Sequence, residues 1–96
     1  MTTKEKIYLS LTDKLSAQHV KILDKTNQHV NHDEARKSQG GHYDLTVVSH
    51  CFINKTFLER HRMIHQILEN AFKDEIHALA IKAYTPEEWD KVNTGK

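Results

Sequence analysis

The feature that most constrains this sequence is the stretch from Asn54 to Phe72, NKTFLERHRMIHQILENAF. At 100° per residue its apolar side chains fall on one broad arc, and its charged and amide side chains fall opposite. Asn54 or Thr56 can cap the start, and Glu59 would complete a capping box with Thr56. The stretch therefore predicts an amphipathic helix of about five turns, whose apolar arc other elements must cover. That arc comprises Phe57, Leu58, Ile64, Ile67, Leu68, Ala71 and Phe72, with His61 near its middle.

Length and composition suit one small soluble domain, since the chain has 96 residues of which 28% are charged. No apolar run is long enough to span a bilayer, and the start lacks the apolar region of a signal peptide, so we expect a cytoplasmic protein that does not bind membranes. The single cysteine, Cys51, excludes an internal disulfide. A net charge of +1 gives no electrostatic case for a dedicated nucleic-acid binder.

Residue spacing predicts the remaining elements. Ile7, Leu11 and Leu15 recur at four-residue steps, which is typical of a helix, and Thr2 or Thr3 can cap it. Three other segments alternate or carry short apolar runs, which favours strands. The predicted order is a helix over residues 3–15, strands over 19–25 and 42–49, the long helix, a strand over 76–84 and a short helix that begins at Thr85-Pro86-Glu87-Glu88, with a mobile loop over 27–41 and a flexible tail over 92–96.

This order of elements predicts the topology of the sheet. A strand–helix–strand passage requires a right-handed crossover, so the third strand should run parallel to the second. The first two strands are joined by the loop and could be antiparallel. We therefore predict a single α+β domain over residues 1–96, with a three-stranded mixed sheet, helices on one face and a solvated opposite face.

The sequence offers little support for catalysis. His61 and His65 lie one helical turn apart, a spacing that can bind zinc, but Arg62 stands where a metalloprotease needs a glutamate. We interpret His61 as a buried, structural residue instead. Cys51 has no fixed basic neighbour except His50, so a structural thiol is favoured over a nucleophile. The sequence contains no serine elbow, glycine-rich phosphate loop or paired-cysteine zinc spacing, and we expect a protein without catalytic residues.

Three segments resemble the BolA family. They are Arg60-His61-Arg62-Met63-Ile64, Ile76 to Ile81 (IHALAI) and Thr85 to Trp89 (TPEEW), which occur in the family's order and spacing. The resemblance extends from the first helix to Trp89. It implies a helix–strand–strand–helix–strand fold akin to the class II KH domain, in agreement with the order predicted above.

The resemblance also implies a function. BolA-like proteins pair with monothiol glutaredoxins and share a [2Fe–2S] cluster in iron trafficking and redox regulation. The family's strand histidine that ligates the cluster matches His77, and its loop ligand matches His29 best, with His42 as the fallback. The loop departs from the family pattern in length and sequence, so His32 remains a possible substitute. His61 matches the histidine of the family's Arg-His-Arg signature. Alone, the chain is expected to be a monomer or weak homodimer that binds the cluster poorly, since glutaredoxin and glutathione supply the other ligands.

A second implied function is regulation of transcription. Bacterial members of the family are described as DNA-binding regulators that affect morphology and stress response. Here Lys55, Arg60, Arg62 and Lys82 would contact phosphates, although the GxxG clamp of KH domains is missing. A solvated helix face is the favoured interpretation of these cations, and the sequence favours the iron–sulfur function, at His77 and His29, over the regulator.

Overall fold

Three helices and a three-stranded sheet make up the residues that the structure, a computed structural model, describes: 2–25, 41–69 and 76–94. The elements agree with the predicted order. They are α1 (Thr3–Leu15), β1 (His19–Asp24), β2 (Gly41–Val48), a short 3₁₀ turn (His50–Phe52), α2 (Phe57–Glu69), β3 (Ile76–Tyr84) and α3 (Pro86–Thr94).

The long helix begins at Phe57, which confirms Thr56 as its cap; the alternative cap, Asn54, takes a left-handed backbone conformation with φ of 64° that a helix cannot include. Other element bounds differ from the predictions, and β1 and β2 each end one residue earlier than expected. Helix α3 continues to Thr94, so residues 92–94, assigned to a flexible tail from the sequence, are helical. Gly41 belongs to β2, whereas the rest of the predicted loop, and residues 70–72 of the predicted long helix, lie outside the described residues.

Each of the three helices starts with the same Thr-x-x-Glu capping box. At α1 the Glu5 backbone N–H donates to the Thr2 hydroxyl, and the Thr2 backbone N–H donates to the Glu5 carboxylate, both at 3.1 Å. The same reciprocal pair of bonds joins Thr56 with Glu59 and Thr85 with Glu88. Each box satisfies two N–H groups that the first helical turn cannot bond, so the start of every helix is encoded locally.

The sheet has the order β1-β2-β3, with β1 antiparallel and β3 parallel to β2. This is the mixed sheet predicted from the crossover rule. Along β2 the side chains alternate as expected, since Tyr43, Leu45 and Val47 are buried while the residues between them are half-buried. The buried set faces α1 and α2, so the core lies between the sheet and these two helices. The core comprises Ile7, Leu11, Leu15, Ile22, Tyr43, Leu45, Val47, Phe52, Ile64, Leu68 and Ala83.

The opposite face of the sheet is covered at one end by α3. Val48 is fully buried although it follows the inward-facing Val47 and must point the other way. Its strand partners are His19 and Tyr84, and the Trp89 ring lies 4.9 Å from the His19 ring and 5.4 Å from the Tyr84 ring. Trp89 thus packs onto the domain, so this end of the face that was predicted to be solvated is covered.

A buried arginine joins α2 to β3 and α3. Arg60 is only 6% exposed. Its guanidinium donates to both carboxylate oxygens of Glu88, at 2.7 and 3.2 Å, and to the backbone carbonyls of Ala83 and Lys55, each at 3.0 Å. The Phe52 ring also lies within 5.9 Å of the guanidinium carbon. A desolvated arginine with its donors paired in this way fixes the start of α2 against the end of β3.

Removing the arginine should destabilise the fold. Arg60→Met keeps apolar bulk but removes the charge-assisted bonds and leaves the buried carbonyl of Ala83 without its donor, so we expect the free energy of unfolding to fall by about 2–3 kcal/mol. The matched control is Arg62→Met on the exposed side of the same helix, expected to change stability by less than about 0.5 kcal/mol. Urea unfolding followed by circular dichroism measures both. Equal losses in the two variants would contradict the structural role of Arg60.

The three capping carboxylates predict how stability depends on pH. Hydrogen bonds from Thr2 and Thr56 lower the pKa of Glu5 and of Glu59 below the ordinary 4.5, and the Arg60 guanidinium, followed by the backbone N–H of Thr85, lowers the pKa of Glu88. A carboxyl whose pKa is lower in the folded than in the unfolded state stabilises the fold above the unfolded value. That stabilisation is lost as the pH falls through the folded value.

We therefore expect the free energy of unfolding to decrease as the pH is lowered from about 5 to about 3. Glu88→Gln should reduce the steepness of this decrease, since it removes one of the three carboxyls with a lowered pKa. Thermal unfolding of the unmodified chain and of Glu88→Gln at a series of pH values measures the difference, and identical profiles for the two would contradict this assignment.

Candidate functional site

The strands β2 and β3 begin side by side, and each carries a histidine near its start. Gly41 pairs with Ile76 but His42 pairs with Ala78, so the ladder is irregular here and His77 lies opposite the step from Gly41 to His42. Irregularities of this kind are frequent next to functional sites because they redirect a side chain. The structure therefore brings the backbone of His77 next to that of half-buried His42.

The segment with the other two candidate ligands joins the sheet at the same place. His29 and His32 lie outside the described residues. Their segment leaves β1 at Lys25, whose backbone N–H donates to the carbonyl of His42 at 2.7 Å, and it enters β2 at Gly41. Lys25 is held by an ion pair with Asp44, also at 2.7 Å. Both ends of the segment are thus fixed beside His42.

The backbones of His42 and His77 lie side by side here, and this part of the domain is called the histidine end of the sheet below. Among the residues that the structure describes, no group of three or more His, Cys, Asp or Glu side chains could hold a metal ion. A metal centre here would require additional ligands from a partner molecule or from the segment outside the described ranges.

His61 is less buried than expected. It is half-buried, and its Nδ1 lies 2.7 Å from the carbonyl of Phe57 one turn earlier in α2. The buried line of the helix instead runs through Arg60, Ile64 and Leu68. The expectation of burial counted Phe57 as a core residue, which moved the centre of the apolar arc toward His61. Its bond is local to the helix, so His61 contributes to the structure without being central to the core.

The cations predicted to contact phosphates do not form one surface. Arg60 is buried against Glu88 and is unavailable to a ligand, so its assignment to a nucleic-acid interface was wrong. Lys55 and Arg62 are exposed around the start of α2, whereas Lys82 pairs with Thr46 and lies on the opposite face of the sheet. Sequence periodicity did not identify Arg60 as buried, because a charged side chain counts as polar in a periodicity pattern. The Thr-Pro-Glu-Glu run, which contains its partner Glu88, was the available signal.

Cys51 occupies a structural position. It lies in the 3₁₀ turn, half-buried, with its Sγ 3.4 Å from the carbonyl of Leu15 and 4.0 Å from Nε2 of His50. Buried Ser49 donates to the same carbonyl at 2.6 Å. These contacts attach the end of α1 to the turn that follows β2, which accords with a structural thiol.

Known proteins resemble this chain along most of its length. Residues 11–88 match the family of BolA-like proteins. Protein BOLA2 of Arabidopsis thaliana is 41% identical over 90 residues, which cover 93% of this chain and 85% of the relative. A DNA-binding transcriptional regulator BolA of Vibrio cholerae is 31% identical over 83 residues, covering 86% of this chain and 74% of the relative.

Solved structures show the same fold. The BolA domain of SufE1 from Arabidopsis thaliana superposes with a TM-score of 0.76 at 31% identity, over 92% of this chain and 98% of that one. The solution structure of BolA1 from Mus musculus gives 0.74 at 29% identity, over 93% and 69%. No helix among the described residues combines the length and apolar character needed to cross a membrane. The sequence match and the shared fold together establish that this chain belongs to the BolA-like family.

Proposed function

We propose that this chain is a non-enzymatic cytoplasmic protein that pairs with a monothiol glutaredoxin and shares a [2Fe–2S] cluster with it, in iron–sulfur trafficking or redox regulation. The observation that carries the proposal is the register that sets His77 beside His42 at the start of two parallel strands. Membership of the BolA-like family supports it. The same register sets the backbones of both histidines at one end of the sheet.

The donor set fits half of such a cluster. Two neutral imidazoles can ligate one iron while thiolates hold the other, and this replacement raises the reduction potential relative to a cluster with four thiolates. The chain would supply His77 and one second histidine, and the glutaredoxin and glutathione would supply thiolates. Because two ligands leave the cluster half held, the isolated chain should be a monomer or weak homodimer that retains little iron–sulfur.

The identity of the second ligand depends on residues 26–40. His29 is the family's match, but it lies in that segment with His32, whereas His42 is held in β2 next to His77. A ligand in a strand is preorganised, since its backbone cannot move without breaking the ladder. His42 is thus the candidate whose backbone lies next to that of His77, while His29 and His32 remain alternatives that a direct comparison of variants can separate.

A cluster titration tests this assignment. Mixing the protein with cluster-loaded monothiol glutaredoxin and glutathione should change the visible absorption and circular dichroism, and His77→Ala should abolish that change. Comparing His29→Ala, His32→Ala and His42→Ala identifies the second ligand, with His50→Ala, at an exposed histidine elsewhere, as the control. The complex should also weaken as the pH falls below about 6, because each imidazole must be deprotonated to bind. An unchanged spectrum for His77→Ala would overturn the proposal.

DNA-dependent regulation is the second candidate function, favoured by the similarity to a DNA-binding transcriptional regulator of Vibrio cholerae. Of the four cations predicted to contact phosphates, Lys55, Arg62 and Lys82 are exposed, and Lys82 lies on the other face of the sheet from α2. Arg60 is already paired with Glu88. The exposed pair at the start of α2 is thus the strongest part of a DNA-binding surface.

Titration with duplex DNA distinguishes this function from ordinary electrostatic attraction. We expect binding to be weak and to vanish by about 200 mM salt without sequence preference, since few phosphates can be contacted at once. Fluorescence anisotropy with the double variant Lys55→Gln/Arg62→Gln measures the contribution of α2, and Lys4→Gln/Lys14→Gln on α1 is the matched control. Tight, sequence-selective binding at near-physiological salt would favour the regulator instead.

A further inference from the structure

Three large apolar side chains are exposed around the start of α2. Ile53 is 53% exposed, Phe57 72% and Leu58 59%, and they lie within six residues of one another along the chain. Single exposed apolar residues are common on protein surfaces, but a cluster marks an interaction site. These three residues are called the α2 patch below. The sequence assigned Phe57 and Leu58 to the apolar arc of the long helix, and Ile53 precedes that helix.

The α2 patch has a structural cause. The core-facing line of α2 begins only at Arg60 and continues through Ile64 and Leu68. Phe57 precedes that line by nearly one turn, so it extends beyond the core, and its ring lies 5.6 Å from the Arg60 guanidinium carbon. The exposed ring is thus positioned by a buried residue. A preorganised apolar surface loses little conformational entropy when a partner covers it.

Positive charge surrounds the α2 patch. Lys55 and Arg62 are exposed, and neither forms a salt bridge with another residue of the described ranges. Glu59 lies between them but its carboxylate accepts the backbone N–H of Thr56 at 2.8 Å, within the capping box. The rim is therefore left with an excess of positive charge. Charge complementarity favours an occupant whose apolar residues are flanked by carboxylates.

The α2 patch lies at the other end of the domain from the histidine end of the sheet. The start of α2 is attached through Arg60 to Ala83, near the end of β3, whereas His42 and His77 lie near the starts of their strands. Six residues of extended strand separate the two levels, or about 20 Å. The α2 patch and the histidine end of the sheet are therefore separate surfaces.

We propose that the α2 patch docks an amphipathic helix of a second protein partner, whose apolar side chains cover Phe57 and Leu58 and whose acidic side chains face Lys55 and Arg62. A helix laid in this way presents apolar anchors at i, i+3, i+4 and i+7. A second copy of this chain fits poorly, because a two-fold pairing of the α2 patch would bring the two cationic rims together. The proposal does not depend on the cluster function at the opposite end.

A synthetic peptide tests the docking site directly. The probe is a fluorescent helical peptide with leucines at i, i+3, i+4 and i+7 and glutamates on its other faces, compared with a twin in which lysines replace the glutamates. We expect the acidic peptide to bind, with weaker binding at high salt. Leu58→Ser and Arg62→Glu should each weaken it roughly tenfold. The matched controls are Leu9→Ser, at an exposed position of α1, and Lys21→Glu, on the outer face of the sheet. Both should leave binding unchanged.

Other occupants give different results in the same assay. Equal binding of the acidic and lysine peptides, or binding that Leu58→Ser leaves unchanged, would overturn the proposal. So would sedimentation showing a dimer that Leu58→Ser abolishes, or displacement of the peptide by duplex DNA at near-physiological salt. Because all four substituted residues are exposed or half-exposed, the variants should fold, which circular dichroism verifies.

The docking and cluster functions can fail separately. His77→Ala should bind the acidic peptide like the unmodified chain, and Leu58→Ser should still take up the cluster from glutaredoxin. Loss of cluster uptake in both variants would instead show that the α2 patch contacts the glutaredoxin itself, and would overturn the assignment to a second partner.

Discussion

The guanidinium of Arg60 is the interaction on which the arrangement of this domain depends. It joins the start of α2 to the end of β3 and to the first turn of α3, which lie 23 and 28 residues later in the sequence. Burying a guanidinium is costly unless its donors are satisfied, and here a carboxylate and two backbone carbonyls accept them. Glu88 is 45% exposed, so water also solvates the pair and moderates the cost. The buried ion pair thus contributes more to a fixed geometry at this junction than to the net free energy of unfolding.

Local rules predicted most of the fold. The alternation from His42 to Ser49 specified β2, the Thr-x-x-Glu spacing specified helix starts, and the handedness of the crossover specified the direction of β3. Each of these signals depends on a few neighbouring residues or on the general right-handedness of strand–helix–strand crossovers. That is why the order of elements and the mixed sheet followed from sequence alone.

The errors arose where a residue's environment is set by distant parts of the chain. Periodicity placed Phe57 and Leu58 in the core because it records the direction of a side chain but not whether another element reaches that far. Periodicity treated Arg60 as a surface cation because it cannot detect a contact with Glu88, which lies 28 residues away. For the candidate site, the sequence named the histidines through family resemblance, whereas only the strand register showed that His42 and His77 are neighbours.

The same junction makes α3 part of a larger cooperative unit. A helix of nine residues is marginal on its own, and α3 is retained by Trp89 and by the carboxylate of Glu88. If α3 opened locally, Arg60 would stay buried without its counter-charge, so that opening also loosens the start of α2. Protection of the α3 amide hydrogens should therefore depend on contacts outside the helix itself. By thermodynamic linkage, whatever stabilises the first turn of α2 also shifts the equilibrium of α3 away from the frayed state.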